Sequence, residues 1–164
     1  MQTSFTDKQL LDKDNKSSES ILRKCVHCGM CNATCPTFCV NGEELEGPRG
    51  RIYLIKDMLE NKKPANKKVV KHIDSCLSCY SCMTTCPSGV NYMHLIDHGR
   101  NYVEETYKRP FFDRLFRNVL SFVLPRPKVF LALAYLSKLI KPFSFLLPTF
   151  LKNSLNLMPN KIPS

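Results

Sequence analysis

Apolar residues in this chain recur at helical spacing, and no stretch alternates convincingly with the period of two that marks a strand. Ile21 and Leu22 lie in a short helix that Ser17 or Ser18 caps and that leads into Cys25. Ile52, Ile55, Met58 and Leu59 share one face of a helix predicted over residues 49–61, which Lys62, Lys63 and Pro64 break. Val69, Val70 and Ile73 mark a second helix over 66–75, and a third runs over 91–107, after Ser88-Gly89 and before Pro110. Further on, Phe112, Leu115, Phe116, Val119, Leu120 and Val123 repeat with Arg114 and Arg117 on the flank. Residues 129–139 form another apolar helix, and Pro142 and Pro148 punctuate the remaining segment. Residues 1–16 are polar, mixed in charge and aperiodic, and are expected to be disordered. Residues 42–50 are turn-rich and end in G-P-R-G. The expected fold is mainly α.

Between these helices lie eight of the nine cysteines, in two copies of one run. Cys25, Cys28, Cys31 and Cys35 read C-V-H-C-G-M-C-N-A-T-C-P; Cys76, Cys79, Cys82 and Cys86 read C-L-S-C-Y-S-C-M-T-T-C-P. Each cysteine of the second run follows its counterpart by 51 positions, so the pair is an internal repeat. C-x2-C-x2-C-x3-C-P is the ligand run of bacterial two-cluster ferredoxins, and the chain is expected to hold two [4Fe–4S] clusters and move electrons. Three cysteines at intervals of three can wrap one turn of backbone around a cluster, whereas the fourth, after a longer gap, points away. In two-cluster ferredoxins that fourth cysteine ligates the other cluster. By that rule Cys25, Cys28, Cys31 and Cys86 hold one cluster, and Cys76, Cys79, Cys82 and Cys35 the other. Pro36 and Pro87 then turn the chain away. Helices between the two runs, in place of a hairpin, specify an α-helical ferredoxin.

The same sulfurs could close two zinc sites, and a zinc-binding structural module remains as an alternative, although zinc sites usually use two C-x2-C knuckles or mix cysteine with histidine. A disulfide framework is disfavoured: residues 1–16 have no apolar stretch of the kind an export signal needs, so the thiols are expected to stay reduced in the cytoplasm. Cys39, whose counterpart is Val90, is expected to be a small packed residue. Backbone N–H groups over 26–30 and 77–81 are candidate donors to sulfur, and Gly29 lets the backbone come close. Arg49 and Arg51 either bring positive charge to a cluster or a partner, or form an exposed pair at a helix start. His27 lies inside the first loop, where cysteines already account for the ligands, and His94 and His98 are four apart with no third ligand nearby. No phosphate loop, nucleophile triad or paired carboxylates stand out, so no substrate site is expected.

Charge is unevenly spread. Residues 108–164 carry ten lysines and arginines against one acid, Asp113, a net +9 of the chain's +10. Their longest uncharged runs, 129–137 and 142–151, fall well short of the about 20 residues that span a bilayer. Two readings stay open: a basic amphipathic segment on an anionic membrane surface, or helices packed on protein. Nucleic-acid binding is disfavoured because the aromatics follow an apolar helical face and do not interleave with the basic residues.

The stretches C-V-H-C-G-M-C-N-A-T-C-P-T, E-G-P-R-G-R-I-Y-L-I-K-D-M-L-E and C-M-T-T-C-P-S-G-V-N-Y, in that order, resemble the iron–sulfur subunits of bacterial glycolate oxidase (glycolate dehydrogenase), within the heterodisulfide-reductase-like ferredoxins. The resemblance covers about residues 1–160 and includes the linker as well as the cysteines. It implies a non-catalytic electron-transfer subunit of an oxidoreductase acting on CH–OH: a partner subunit with FAD oxidises glycolate to glyoxylate, and electrons pass towards a membrane quinone. It also implies a location on the inner face of the cytoplasmic membrane. A relay serving a lactate, glycerol 3-phosphate or succinate dehydrogenase is the alternative. That family continues into two modules with a Cys-Cys-Gly signature; this sequence ends at Ser164 without a Cys-Cys pair, and is expected to be part of a longer chain or a short variant. The organisation expected is a disordered 1–16, a two-cluster domain over 17–107 and a basic helical extension over 108–164.

Overall fold

The computed structural model describes residues 1–140, with side chains to 137. The chain forms two units, Met1–Lys108 and Arg109–Ser164. Among the described residues there is no strand.

In the first unit, α1 (Asp7–Leu10) and α2 (Lys13–Lys24) precede the first cysteine loop. Asp12 caps α2, its Oδ1 accepting from the backbone of Asp14 at 2.8 Å and of Asn15 at 3.0 Å. The helix therefore starts earlier than a serine cap predicts, and Ser18 is an interior residue whose hydroxyl meets His98 Nδ1 at 2.7 Å. The expectation of disorder over 1–16 is corrected as well. Met1 and Phe5 pack against the core, and buried Gln9 donates to the Leu59 carbonyl at 2.9 Å. A polar composition hid these anchors because each partner lies far along the chain.

After the first loop come α3 (Pro36–Asn41), a 3-10 turn at Glu44–Glu46, α4 (Pro48–Asn61) and α5 (Lys67–Asp74). Proline stands at the start of α3 and of α4, where its missing N–H costs nothing. Asn66 caps α5 through the amides of Lys68 and Val69, both at 3.0 Å. The second loop holds the short α6 (Ser81–Thr84) and gives way to α7 (Tyr92–Thr106), capped by Asn91. α7 packs on α2, α4 and α5, burying Leu22, Ile55, Ile73, Leu95, Ile96 and Val103 between them. Gly99 permits the α4–α7 approach: a Cβ there would stand 2.8 Å from Ile55 Cγ1. This four-helix core presents both cysteine loops from one frame.

The second unit contains α8 (Phe111–Val123) and α9 (Pro127–Ile140). No single described helix is long and apolar enough to cross a membrane; α8 and the first part of α9 have the length and composition only as a pair bent by 111°. Pro142, Pro148 and the uncharged run 142–151 lie outside the described residues.

Candidate metal centre

The repeat extends to the backbone of both loops. His27 and Ser78, equivalent positions, take φ of 59° and 51°, and Gly29 and Tyr80, also equivalent, take 85° and 55°. Two left-handed residues per loop curl each C-x2-C-x2-C run inward. His27, Ser78 and Tyr80 do so without glycine's freedom, at a cost on the order of 1–3 kcal/mol each, a strain typical of ligand clamps. At Gly29 the missing side chain has another use: a Cβ would stand 2.7 Å from Arg49 Nη1, so glycine admits the guanidinium over the first loop.

Two cavities lie against these loops. The first is lined by Cys25, Cys28, Cys31, Cys82 and Cys86, with Arg49 and Tyr92. The second is lined by Cys35, Cys76, Cys79 and Cys82, with Arg51 and Tyr92. The last cysteine of each run thus lines the cavity belonging to the opposite run, and Pro48, Cys82 and Tyr92 form a wall common to both. No carboxylate lines either cavity.

The donor chemistry fits iron–sulfur clusters. All nine cysteines are free, and sulfur supplies the soft ligands that such clusters require. Burial, with the neighbouring thiols Cys25, Cys86 and Cys28 adding to it, pushes the Cys31 thiol up to about 11. Burial again, together with Cys31, Cys35 and Cys76, pushes Cys82 up to about 12. Crowded thiols of this kind ionise when a cationic group binds and displaces their protons. Cys79 differs: the Ser81 backbone N–H holds it below its ordinary value.

A buried polar network stands behind the second cavity. Arg51 donates through Nε to the His72 carbonyl at 2.6 Å, and through Nη2 to Glu46 Oε2 at 2.9 Å and to Thr37 and Ser75 hydroxyls at 3.1 Å. Its Nη1 lies 3.8 Å from Cys35 Sγ. His72 Nδ1 is 2.8 Å from Glu46 Oε1, and Thr37 Oγ1 donates to the Glu46 carbonyl at 2.7 Å. Burial pushes the Glu46 carboxyl up, but hydrogen bonds from Ser75 and His72 and the Arg51 charge outweigh it and hold the group below the usual carboxylate range. Tyr92 Oη donates to Cys76 Sγ at 3.7 Å, and burial, with Cys76 beside it, raises its phenol well above the ordinary value, so it stays a donor. Arg100 ties down the second loop through the Ser78 hydroxyl and the Cys76 carbonyl, both at 2.7 Å.

Of the other residues singled out in the sequence, Arg49 is partly exposed and pairs with Glu44. Arg51 is buried, so the reading of both as an exposed pair is corrected. His27 lines the first cavity, where burial and the Arg49 charge hold it below its ordinary value. His98 is spent on Ser18, and its ring lies 6.3 Å from that of His94. Cys39, expected to be packed, is exposed. Glu46, His72, Ser75 and Tyr92 carried no signal in the sequence; the only hint was Glu46 standing five residues before Arg51 in an otherwise turn-rich segment.

Comparison with known proteins points to the same cofactor chemistry. Residues 21–90 match the family described as 4Fe-4S dicluster domain. They form a 4Fe-4S dicluster domain, and its cofactors are iron–sulfur clusters. Around it, the chain is 50% identical over 143 residues to the glycolate oxidase iron-sulfur subunit of Escherichia coli (strain K12), covering 87% of this chain and 35% of that protein. The probable glycolate oxidase iron-sulfur subunit of Bacillus subtilis (strain 168) is 32% identical over 117 residues, 68% of this chain and 26% of that protein. The mitochondrial succinate dehydrogenase [ubiquinone] iron-sulfur subunit of Candida glabrata is 27% identical over 84 residues, 48% of this chain and 33% of that protein. The chain thus spans between a quarter and about a third of the length of these curated relatives. No solved structure matches it. The dicluster domain includes every cysteine of both runs and ends at Val90, before α7 begins.

Proposed function

We propose that this chain is the electron-transfer part of an iron–sulfur subunit in a glycolate-oxidising complex. In it, Cys25, Cys28, Cys31 and Cys86 hold one [4Fe–4S] cluster, and Cys76, Cys79, Cys82 and Cys35 hold the other. The observation that carries the reading is the pair of adjoining sulfur-lined cavities, each completed by the last cysteine of the opposite run, in a chain 50% identical to a glycolate oxidase iron-sulfur subunit. Iron–sulfur clusters, when bound, take up and give up electrons one at a time.

The protein's own part is to hold, insulate and tune. Pro48, Cys82 and Tyr92 keep the two sites side by side, which suits emptying a two-electron donor such as a reduced flavin. The apolar core behind the loops keeps water from one flank of each site, and Tyr92, Arg51 and backbone amides supply donors to sulfur. The donor in this reading is an FAD-bearing partner subunit that oxidises glycolate to glyoxylate, and the acceptor is a membrane quinone. In this reading the chain lies on the inner face of the cytoplasmic membrane; the exposure of Phe112, Leu115, Phe116 and Val119 on α8, beside Arg114 and Arg117, supports contact with a membrane surface.

The test is anaerobic co-purification from the native host, followed by iron and zinc analysis and low-temperature EPR. A glycolate-oxidising flavoprotein partner and the signals of two interacting clusters are expected. A different flavoprotein would replace the substrate assignment, and stoichiometric zinc in colourless protein would overturn the redox assignment.

A further inference from the structure

The first turn of α4 delivers two arginines to different cavities. Arg49 and Arg51 are two residues apart, hence about 200° apart around the helix, and Arg49 lines the first cavity while Arg51 lines the second. Their surroundings differ sharply. The Arg51 side chain is 1% exposed, and that of Arg49 is 36% exposed and paired with Glu44, itself 45% exposed. Water and salt screen a charge in the second situation far more than in the first.

Glu46 does not cancel Arg51 at the cavity. The guanidinium meets Glu46 with Nη2 and points Nη1 at Cys35 Sγ, so the positive end of the pair lies nearer the sulfur. Tyr92 adds a second donor on the same side, to Cys76 Sγ. The sulfurs of the first cavity receive a neutral backbone donor, Val90 N–H to Cys86 Sγ at 3.4 Å. A cluster gains one negative charge on reduction. Nearby positive charge and hydrogen bonds to its sulfurs favour that state, and both are levers on reduction potential.

Resting on the two-cluster reading above, we infer that Arg51 and Tyr92 raise the reduction potential of the cluster site in the second cavity above that of the first, making it the site where an electron comes to rest. Arg49, partly exposed and paired with Glu44, acts on the first cavity more weakly than Arg51 on the second. The polarity of the relay is built into G-P-R-G-R by the burial of one arginine and the exposure of the other.

An EPR-monitored anaerobic redox titration of the cluster-loaded full chain tests this. Cys35→Ser identifies which titration step belongs to the second cavity. Wild-type protein is expected to titrate in two separated steps, the second cavity first. Arg51→Gln is expected to lower that step by tenfold or more in its one-electron equilibrium, about 59 mV. Tyr92→Phe should lower the same step by a smaller factor, and Arg49→Gln should lower the first-cavity step by less than Arg51→Gln lowers the second. Should Arg51→Gln fail to load clusters, Arg51→Lys, which keeps the charge and loses the fork, and Tyr92→Phe must both lower the second-cavity step. Unmoved midpoints in clusters that remain present overturn the inference alone, as does an equal or larger shift from Arg49→Gln. Absence of clusters from wild-type protein overturns the function proposed above instead.

Discussion

Thr34 and Thr85, equivalent positions in the two cysteine runs, touch: their Oγ1 atoms are 3.2 Å apart. Each hydroxyl also reaches the carbonyl three residues back, of Cys31 at 3.4 Å and of Cys82 at 3.3 Å. A residue in contact with its own counterpart lies where the two repeats meet. The next residue in each copy, Cys35 or Cys86, is therefore carried past the junction to the other side.

The crossed ligation proposed above follows from that junction. Cys35→Ser is expected to damage the site with Cys76, Cys79 and Cys82, and Cys86→Ser the site with Cys25, Cys28 and Cys31. EPR of each variant, with iron per chain, reads the outcome. Loss from the site in the mutated residue's own run would contradict the crossing.

How much of this was legible beforehand depends on the range of each interaction. The cysteine pattern is local, so spacing alone exposes it. α4, α5 and α7 start and end within about one residue of their periodic segments, because each shows the core a continuous apolar face. α2 was legible only in its last turn: Ile21 and Leu22 carry its apolar signal, and its cap, Asp12, precedes a polar stretch. The order of residues 1–10 rests on contacts such as Gln9 with Leu59 that periodicity cannot register. Glu46 and His72 meet only after α4 and α5 have folded back, so their pairing was invisible among charged residues of ordinary appearance.

Gly50 leads to a second expectation. A Cβ there would stand 2.3 Å from the Glu44 carbonyl oxygen and 2.8 Å from Leu45 Cα, both backbone atoms with little freedom to yield. Gly50→Ala should therefore push away the Glu44–Glu46 turn that brings Glu46 to Arg51, at a cost of about 1–3 kcal/mol. Anaerobic urea unfolding of the loaded chain measures it, and a wild-type midpoint would show that the turn is freer than this packing implies.

Acid sensitivity should appear at the cap of α2. The Asn15 backbone N–H outweighs a slight desolvation, with the Asp14 N–H assisting, and holds the exposed Asp12 below the ordinary 3.8. A carboxyl with a lowered folded-state value contributes its full stabilisation above its ordinary value and loses it as pH falls through the folded one. Asp12→Ala is expected to cost about 1 kcal/mol at pH 7, with the difference from wild type narrowing below about pH 4. Asp12→Asn, which keeps a neutral acceptor, should cost less. Urea midpoints followed by helical circular dichroism between pH 7 and 3.5 test this, and a gap that stays constant would remove the ionised cap from the account.

The second unit yields the last expectation. On α8, Phe111, Phe112, Leu115, Phe116, Val119, Leu120 and Val123 occupy one half of the helix circumference, with Asp113, Arg114, Arg117, Asn118 and Ser121 on the other. Most of the apolar half is exposed, and Asp113, the one acid of residues 108–164, already accepts from Arg109 at 3.4 Å and from Arg117 at 3.1 Å. A surface combining exposed aromatics with unbalanced positive charge suits anionic lipid: apolar burial holds the helix, and charge draws it in. The full chain is expected to sediment with vesicles containing phosphatidylserine and to remain in solution with pure phosphatidylcholine. Its binding should weaken as salt rises from about 0.1 to about 0.5 M, because screening removes the attraction. Leu115→Glu with Phe116→Glu should abolish binding without changing iron content, since neither residue belongs to the first unit. Binding that ignores both lipid charge and these substitutions would mean that the apolar half of α8 is covered by protein in the working complex.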